Sequence, residues 1–322
     1  MTAEVSVSER GPTKTLYVET PVWESQPLSA ALGTPVLLKM EALQPTGSFK
    51  ARGMGVACRS AAERGAQRVV CSSGGNAGYS VAFAGRQLGL AVTIVVPETT
   101  SPRARDLIRG EGAQLIIHGA AWDDAHAYAL ELASKERAAY IHPFDDPQVW
   151  SGHATMIREM AEHGIKPGAV VVSVGGGGLL CGLVEGLHAV GWNEVPVLAV
   201  ETKGADSFAA AVKAGHLVTL PKITSLATTL GARTVAPQAL EWTRHHPITS
   251  WVVSDRAAVD ACLRFADDHR ILVEPACGAA LAAVYARAQP LQGHSPVVII
   301  VCGGAGVTRD LLDQWKEQSE RR

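Results

Sequence analysis

The segment Lys39-Met40-Glu41-Ala42-Leu43-Gln44-Pro45-Thr46-Gly47-Ser48-Phe49-Lys50-Ala51-Arg52-Gly53 decides how this chain is read. It leaves an apolar run, crosses a turn and presents Lys50 directly behind an aromatic and two small residues. A free lysine is almost fully protonated near neutral pH, so a lysine nucleophile must be held beside a group that captures it. A surface lysine at the start of a helix is the other reading of the same position. Three further segments give the first reading its context: Ser72-Ser73-Gly74-Gly75-Asn76-Ala77-Gly78, Ser173-Val174-Gly175-Gly176-Gly177-Gly178-Leu179-Leu180, and Val301-Cys302-Gly303-Gly304.

Outward from these motifs, short β-rich apolar runs alternate with alanine-rich helical ones. Residues Val36–Lys39, Arg68–Cys71, Val92–Val96, Gln114–Ile117, Val170–Val174, Val197–Glu201 and Val297–Cys302 read as strands. Ala77–Leu88, Ser101–Glu111, Ala121–Ala138, Leu179–Val190 and Ala257–His269 read as helices between them. The alternation predicts an α/β fold with largely parallel sheets. Three of the four motifs begin where a strand ends, which is where open α/β sheets place their sites.

A chain of 322 residues with 47% hydrophobic residues can bury a large core, in one large or two medium domains. A net charge of −2 and no long basic run leave no footprint for nucleic acid or an anionic membrane, so a small-molecule partner is expected. Six cysteines, at positions 58, 71, 181, 262, 277 and 302, form no Cys-x-x-Cys pair, which points to reduced thiols in the cytoplasm rather than zinc or disulfides. Met1 to Gly11 has no apolar stretch like a signal peptide and reads as a frayed tail. Asp310–Arg322 reads as a short charged helix, with no regulatory extension expected after it.

Gly175-Gly176-Gly177-Gly178 follows a valine strand and precedes an apolar helix, so its open amides and the helix start suit a phosphate dianion. Glycine runs also make tight turns without a ligand. A dinucleotide site is the rival, with Glu201 as its acidic partner, but Leu180 and Cys181 fall where the third glycine of Gly-x-Gly-x-x-Gly belongs. Ser72 to Gly78 offers amides and hydroxyls for a carboxylate, and Ser, Asn and Gly are also ordinary N-cap residues. His142 and His153 lack a paired carboxylate in the sequence and read as structural.

From about Pro21 to Val307, and in the same order, these motifs resemble the fold-type II pyridoxal-phosphate enzymes, most closely the serine/threonine dehydratases. Phe144-Asp145-Asp146-Pro147, Gly152-His153-Ala154 and Glu274-Pro275-Ala276-Cys277-Gly278 extend the resemblance. It implies two open twisted sheets flanked by helices, as in the tryptophan synthase β fold. A small substrate domain at 42–147 is expected inside a large cofactor domain made of 1–41 and 148–322.

The resemblance makes Lys50 the Schiff-base lysine and the base at Cα, with Phe49 against the pyridine ring and Asn76 on its 3′-oxygen. It gives the phosphate to Gly175, Gly176, Gly177, Gly178 and Leu179, and the ring nitrogen to the Cys302 thiol, a weak partner that favours elimination over transamination. Ser73, Gly74, Gly75 and Ala77, with Asn76, are the expected carboxylate loop, and Phe144 a pocket wall. Relatives carry alanine or glycine at position 74, so the missing methyl is expected to change how snugly substrate is held. Where the family has serine and asparagine after Cys-Gly-Gly, Ala305 and Gly306 stand here, and fewer polar contacts are expected near the ring.

Gly175, Glu201, Ala205, Leu230 and Ala232 match a monovalent-cation site, for K+, built mostly from carbonyls; Glu201 reads equally as a solvated or helix-capping carboxylate. The implied activity is α,β-elimination of L-serine and L-threonine to pyruvate or 2-oxobutyrate and ammonia, by a homodimer. No side chain is expected to protonate the leaving hydroxyl, a role left to the cofactor phosphate. β-Replacement, racemisation and a non-catalytic regulatory role are the alternatives, and Gly74-Gly75 disfavours racemisation because relatives use a serine there.

Overall fold

The computed structural model describes residues 15–321, so the reading of Met1 to Gly11 as a tail lies outside the described residues. The first half of the chain runs β1 (Val22–Glu24), α1 (Gln26–Leu32), β2 (Val36–Lys39), α2 (Lys50–Glu63), β3 (Arg68–Cys71), α3 (Asn76–Leu88), β4 (Ala91–Val96), α4 (Pro102–Gly110), β5 (Gln114–Ile117), α5 (Trp122–Glu136), β6 (Ala139–Tyr140) and α6 (Pro147–Glu162). The second runs β7 (Ala169–Ser173), α7 (Gly178–Ala189), β8 (Val197–Thr202), α8 (Ser207–Ala214), α9 (Pro237–Trp242), β9 (Ile248–Val253), α10 (Asp255–His269), α11 (Pro275–Tyr285), β10 (Val297–Ile300) and α12 (Arg309–Glu320).

Two sheets result. One has six strands in the order β1-β2-β10-β7-β8-β9, parallel except for the edge strand β1. The other has four parallel strands in the order β5-β4-β3-β6, drawn entirely from residues 68–140. The central strands β7, β8 and β10 are buried along their whole length, which is why they read as unbroken apolar runs. In the larger sheet the chain reverses direction of winding around β10 and β7, so the loops after these two strands leave the same edge side by side.

Several elements carried weaker signals. Strand β6 is two residues long and β1 three, while β9 is an edge strand of intermediate and exposed residues. Strand β10 ends at Ile300 rather than at Cys302, because the chain turns away through Gly303 at φ 91° and Gly304 at φ 151°.

Candidate active site

Lys50 opens α2, and the preceding turn is tied to the loop after β10. Ser48 forms an isolated antiparallel bridge with Gly303, the Phe49 amide donates to the Cys302 carbonyl at 3.1 Å, and the Gly304 amide donates to Gly47 at 2.9 Å. Behind the lysine, α2 is anchored by charge. Arg52 is fully buried and donates through Nε and Nη2 to both oxygens of Glu41, at 2.7 and 2.9 Å, and through Nη1 and Nη2 to Glu159 at 2.5 and 2.7 Å. Lys39 completes the set, donating to Glu159 at 2.5 Å and to the Thr20 carbonyl at 2.8 Å. Two cations and two anions balance, with their hydrogen bonds made internally, which is what allows such groups inside a protein.

The Lys50 amine has no such counter-charge. It donates to the Pro143 carbonyl and sits 5.2 Å from the centre of the Phe49 ring. Burial lowers its pKa to about 8, so about one amine in ten is neutral at pH 7. Lys50 does stand at a helix start, but half-buried on the lining of a cleft rather than on the open surface.

A cleft of about 600 Å³ gathers the predicted residues: Phe49 and Lys50, the loop from Ser73 to Ala77, Phe144, the loop from Gly175 to Leu179, and Cys302. The Ser73 hydroxyl accepts the Gly75 amide at 3.3 Å, and Ala77 lies in the first turn of α3. Asn76 is held at both ends of its amide: Oδ1 accepts the Ala305 amide at 2.9 Å and Nδ2 donates to Glu274 at 2.8 Å. One Nδ2 hydrogen is left over for a further acceptor. Ala305 therefore supplies a polar contact through its backbone, where its side chain offers none.

The glycine loop is built for close approach. A Cβ on Gly176 would lie 2.3 Å from the Phe144 ring, and one on Gly178 2.4 Å from the Phe144 carbonyl. Gly177 caps α7 at φ 89°, a left-handed conformation that favours glycine. Phe144 thus lies against the loop as a wall, its carbonyl accepting from the Trp150 indole at 2.6 Å. The first-turn amides of α7 have no carbonyl four residues back within the helix, and Gly178 to Leu180, which carry them, line the cleft, an arrangement that suits an anion. Ser173, buried on the cleft lining, has a hydroxyl without a partner among the described residues. A cradle closed to side chains, free first-turn amides and an orphaned buried hydroxyl together fit a phosphate-bearing cofactor. Cys302 hydrogen-bonds with Cys277, and this contact and burial hold its thiol well above the ordinary range. It is a neutral thiol, suited to an unprotonated ring nitrogen.

Glu274 had no role in the sequence reading, although its Glu-Pro-Ala-Cys-Gly motif stood out. It is 7% exposed, lines the cleft, and accepts at Oε1 from Asn76 at 2.8 Å and from Thr229 Oγ1 at 2.7 Å. Burial pushes its pKa up to about 7, against the pull of those two donors. This carboxyl adds a polar group to the cleft lining.

The five cation-site candidates fall in two groups. Gly175, Leu230 and Ala232 line the cleft, with a Gly175 Cβ position 2.9 Å from Cα of Leu230. Glu201 and Ala205 are fully buried at the end of β8, outside that lining. Glu201 accepts the Phe208 amide at 2.9 Å and the Ala209 amide at 2.7 Å, so it caps α8 and is not solvated; burial raises its pKa to about 8. No cluster of three His, Cys, Asp or Glu side chains able to hold a metal occurs among the described residues. Neither histidine is paired with a carboxylate among the described residues. His142 accepts the Asp145 amide at 2.8 Å and burial lowers its pKa to about 4. His153 packs 4.8 Å from the Phe49 ring, held neutral by burial.

The family model described as "Pyridoxal-phosphate dependent enzyme" matches residues 13–303. The L-serine dehydratase/L-threonine deaminase of Homo sapiens is 51% identical over 313 residues, covering 94% of this chain and 95% of that protein. The crystal structure of a fungal L-serine ammonia-lyase from Rhizomucor miehei superposes with a TM-score of 0.89 at 37% identity, covering 95% of this chain and 100% of the other. The structure of maize serine racemase gives a TM-score of 0.84 at 27% identity, covering 95% and 93%.

Proposed function

Because the chain belongs to the pyridoxal-phosphate-dependent enzyme family, we propose that it is an L-serine and L-threonine ammonia-lyase. The observation that carries this is the convergence, in one cleft, of an uncompensated Lys50 amine with a glycine cradle, the Ser73–Ala77 loop and a neutral Cys302 thiol. The relatives' names support the choice of substrate.

When bound, pyridoxal phosphate supplies a sink for the electrons of the Cα–H bond. The chain's own residues do the rest. Gly175 to Leu179 would hold the phosphate, Phe49 would flank the ring, Asn76 would donate to the 3′-oxygen and Cys302 would meet the ring nitrogen. Ser73, Gly74, Gly75 and Ala77, with Asn76, receive the substrate carboxylate, and Phe144 closes one side. Lys50 Nζ would take the Cα proton, which together with the hydroxyl lost from Cβ amounts to one water, and the enamine released would take up a water to give pyruvate and ammonia from serine, or 2-oxobutyrate and ammonia from threonine. Proton transfer by a placed side chain is worth about 10²–10⁴-fold in rate.

The same reading places K+ among Gly175, Glu201, Ala205, Leu230 and Ala232, divides the chain into a 42–147 substrate domain and a 1–41 with 148–322 cofactor domain, and takes the protein to be a cytoplasmic homodimer. The close approach of Gly175 to Leu230 supports the first, and the confinement of one sheet to residues 68–140 the second. The test is the visible spectrum of the purified protein followed by L-serine addition. A band near ~410–420 nm, as expected of a lysine-bound cofactor, and pyruvate formation are the expected results. A band without pyruvate or 2-oxobutyrate overturns the lyase reading, and D-serine as main product replaces it with racemisation.

A further inference from the structure

Glu274 is a buried carboxyl in the cleft whose hydrogen-bond partners are both neutral. They come from segments that belong to different sheets. Asn76 opens α3, which follows β3 of the four-stranded sheet, whereas Thr229 lies between α8 and α9 in the crossover from β8 to β9 of the six-stranded sheet, and both line the cleft. Both donate to the same oxygen, Oε1. The Asn76 amide is then fully oriented. With Oδ1 taken by the Ala305 amide and one Nδ2 hydrogen taken by Glu274, only one placement of the second Nδ2 hydrogen remains.

We propose that Glu274 is a positioning residue, which sets the rotamer and amide orientation of Asn76 so that its remaining N–H points at the cofactor's 3′-oxygen, and which ties the Asn76 loop to the neighbouring Thr229 segment. This rests on the reading that Asn76 meets the cofactor. A buried carboxyl is a costly way to fill space, since its desolvation is offset only by the bonds it accepts. Here those bonds go to the second end of the Asn76 amide, whose first end is held by Ala305, and to the Thr229 hydroxyl. The requirement is for an acceptor of this shape at Oε1, which a glutamine carbonyl also meets.

The test compares Glu274→Gln, Glu274→Ala, Thr229→Val and Asn76→Ala by cofactor titration, reading the dissociation constant of pyridoxal phosphate and the position of the visible band. Fold is checked for each by circular dichroism. Loss of one hydrogen bond to a charged or buried group corresponds to about tenfold or more in affinity. Glu274→Ala is therefore expected to weaken cofactor binding about tenfold or more and to shift the band in the same sense as Asn76→Ala. Glu274→Gln, which keeps the acceptor, is expected to stay within about threefold of wild type, and Thr229→Val to fall between.

If Asn76→Ala changes affinity and band but Glu274→Ala does not, the positioning role is overturned and the reading of Asn76 stands. If Glu274→Gln loses as much as Glu274→Ala, charge rather than shape is what matters, and the proposal fails in that form. If Asn76→Ala is silent, both the reading of Asn76 and the role of Glu274 fall. Should Glu274→Ala not fold, the Gln and Val variants decide alone: a Thr229→Val protein identical to wild type beside a defective Glu274→Gln refutes the clamp.

Discussion

Replacing Gly74 by alanine isolates one wall of the cleft. A Cβ built there lies 2.4 Å from Thr100 Oγ1, 2.6 Å from its Cγ2 and 3.1 Å from its Cβ. Rotation of Thr100 does not solve the clash. Two of its three staggered positions hold heavy atoms, and two face residue 74, so at least one heavy atom always remains in the way. Overpacking of this kind costs about 1–3 kcal/mol, which corresponds to about 5- to 150-fold if it falls wholly on the carboxylate loop. Alanine at 74 is thus expected to lower kcat/KM for L-serine here, because Thr100 already fills the space a methyl would take. The assay is pyruvate formation for wild type, Gly74→Ala, Thr100→Ala and the double variant. Thr100→Ala removes the two nearest atoms, so the double variant should recover to within about threefold of Thr100→Ala, a coupling of the size seen between touching residues. A Gly74→Ala enzyme equal to or better than wild type, or losses that simply multiply, would refute the steric argument.

Lys50→Ala should abolish the visible band and lower turnover by at least about 10²–10⁴-fold; a variant that still forms pyruvate at the wild-type rate removes Lys50 from the mechanism. Because burial lowers the Lys50 pKa to about 8, only the neutral amine above it attacks. Capture of added cofactor by the apoprotein should therefore speed up as pH rises through about 8 and level off beyond, and a rise that continues to the ordinary lysine range would show that the amine is solvated. Arg52→Ala leaves Glu41 buried without its opposite charge and Glu159 with Lys39 alone, and should cost about 3–5 kcal/mol in urea unfolding; a loss under about 1 kcal/mol would mean that water reaches the cluster. Potassium should raise the rate over lithium at equal ionic strength and Glu201→Gln should remove the difference, while a wild type indifferent to the cation discards the five-residue site.

Much of this was legible in the residues because parallel strands buried on both faces leave unbroken apolar runs, as at Val170–Val172 and Val297–Ile300, and glycine-rich turns follow them. The edge elements were not. Strand β9 has no fully buried residue, and β1 and β6 are too short to show a period. Helix α2 carries glycines at 53 and 55 and a charged Arg52 on what proves to be its buried side, so its sequence resembles a loop more than a core helix. Those glycines are small because α6 and the chain near Leu16 press against them: a Cβ at 53 would meet His153 at 2.5 Å, and one at 55 would meet Leu16 at 3.1 Å. Nothing local announces such contacts. Glu274 was hidden for the same reason, since its partners lie 198 and 45 positions away along the chain.

The contrast between the two kinds of buried charge carries the strongest argument for where the chemistry sits. Around Arg52 the protein assembles Lys39, Glu41 and Glu159 so that every ionised group has an opposite neighbour, and that cluster lies behind the cleft, in the packing of β2, α2 and α6. Inside the cleft the pattern reverses. Lys50 meets a carbonyl and an aromatic face, and Glu274 meets an amide and a hydroxyl, so each carries a pKa displaced toward its neutral form, to about 8 and about 7. The same helix, two residues apart, thus presents one fully compensated cation and one that is not. A fold that can neutralise Arg52 completely leaves Lys50 free to lose its proton, and that difference marks the reactive end of α2.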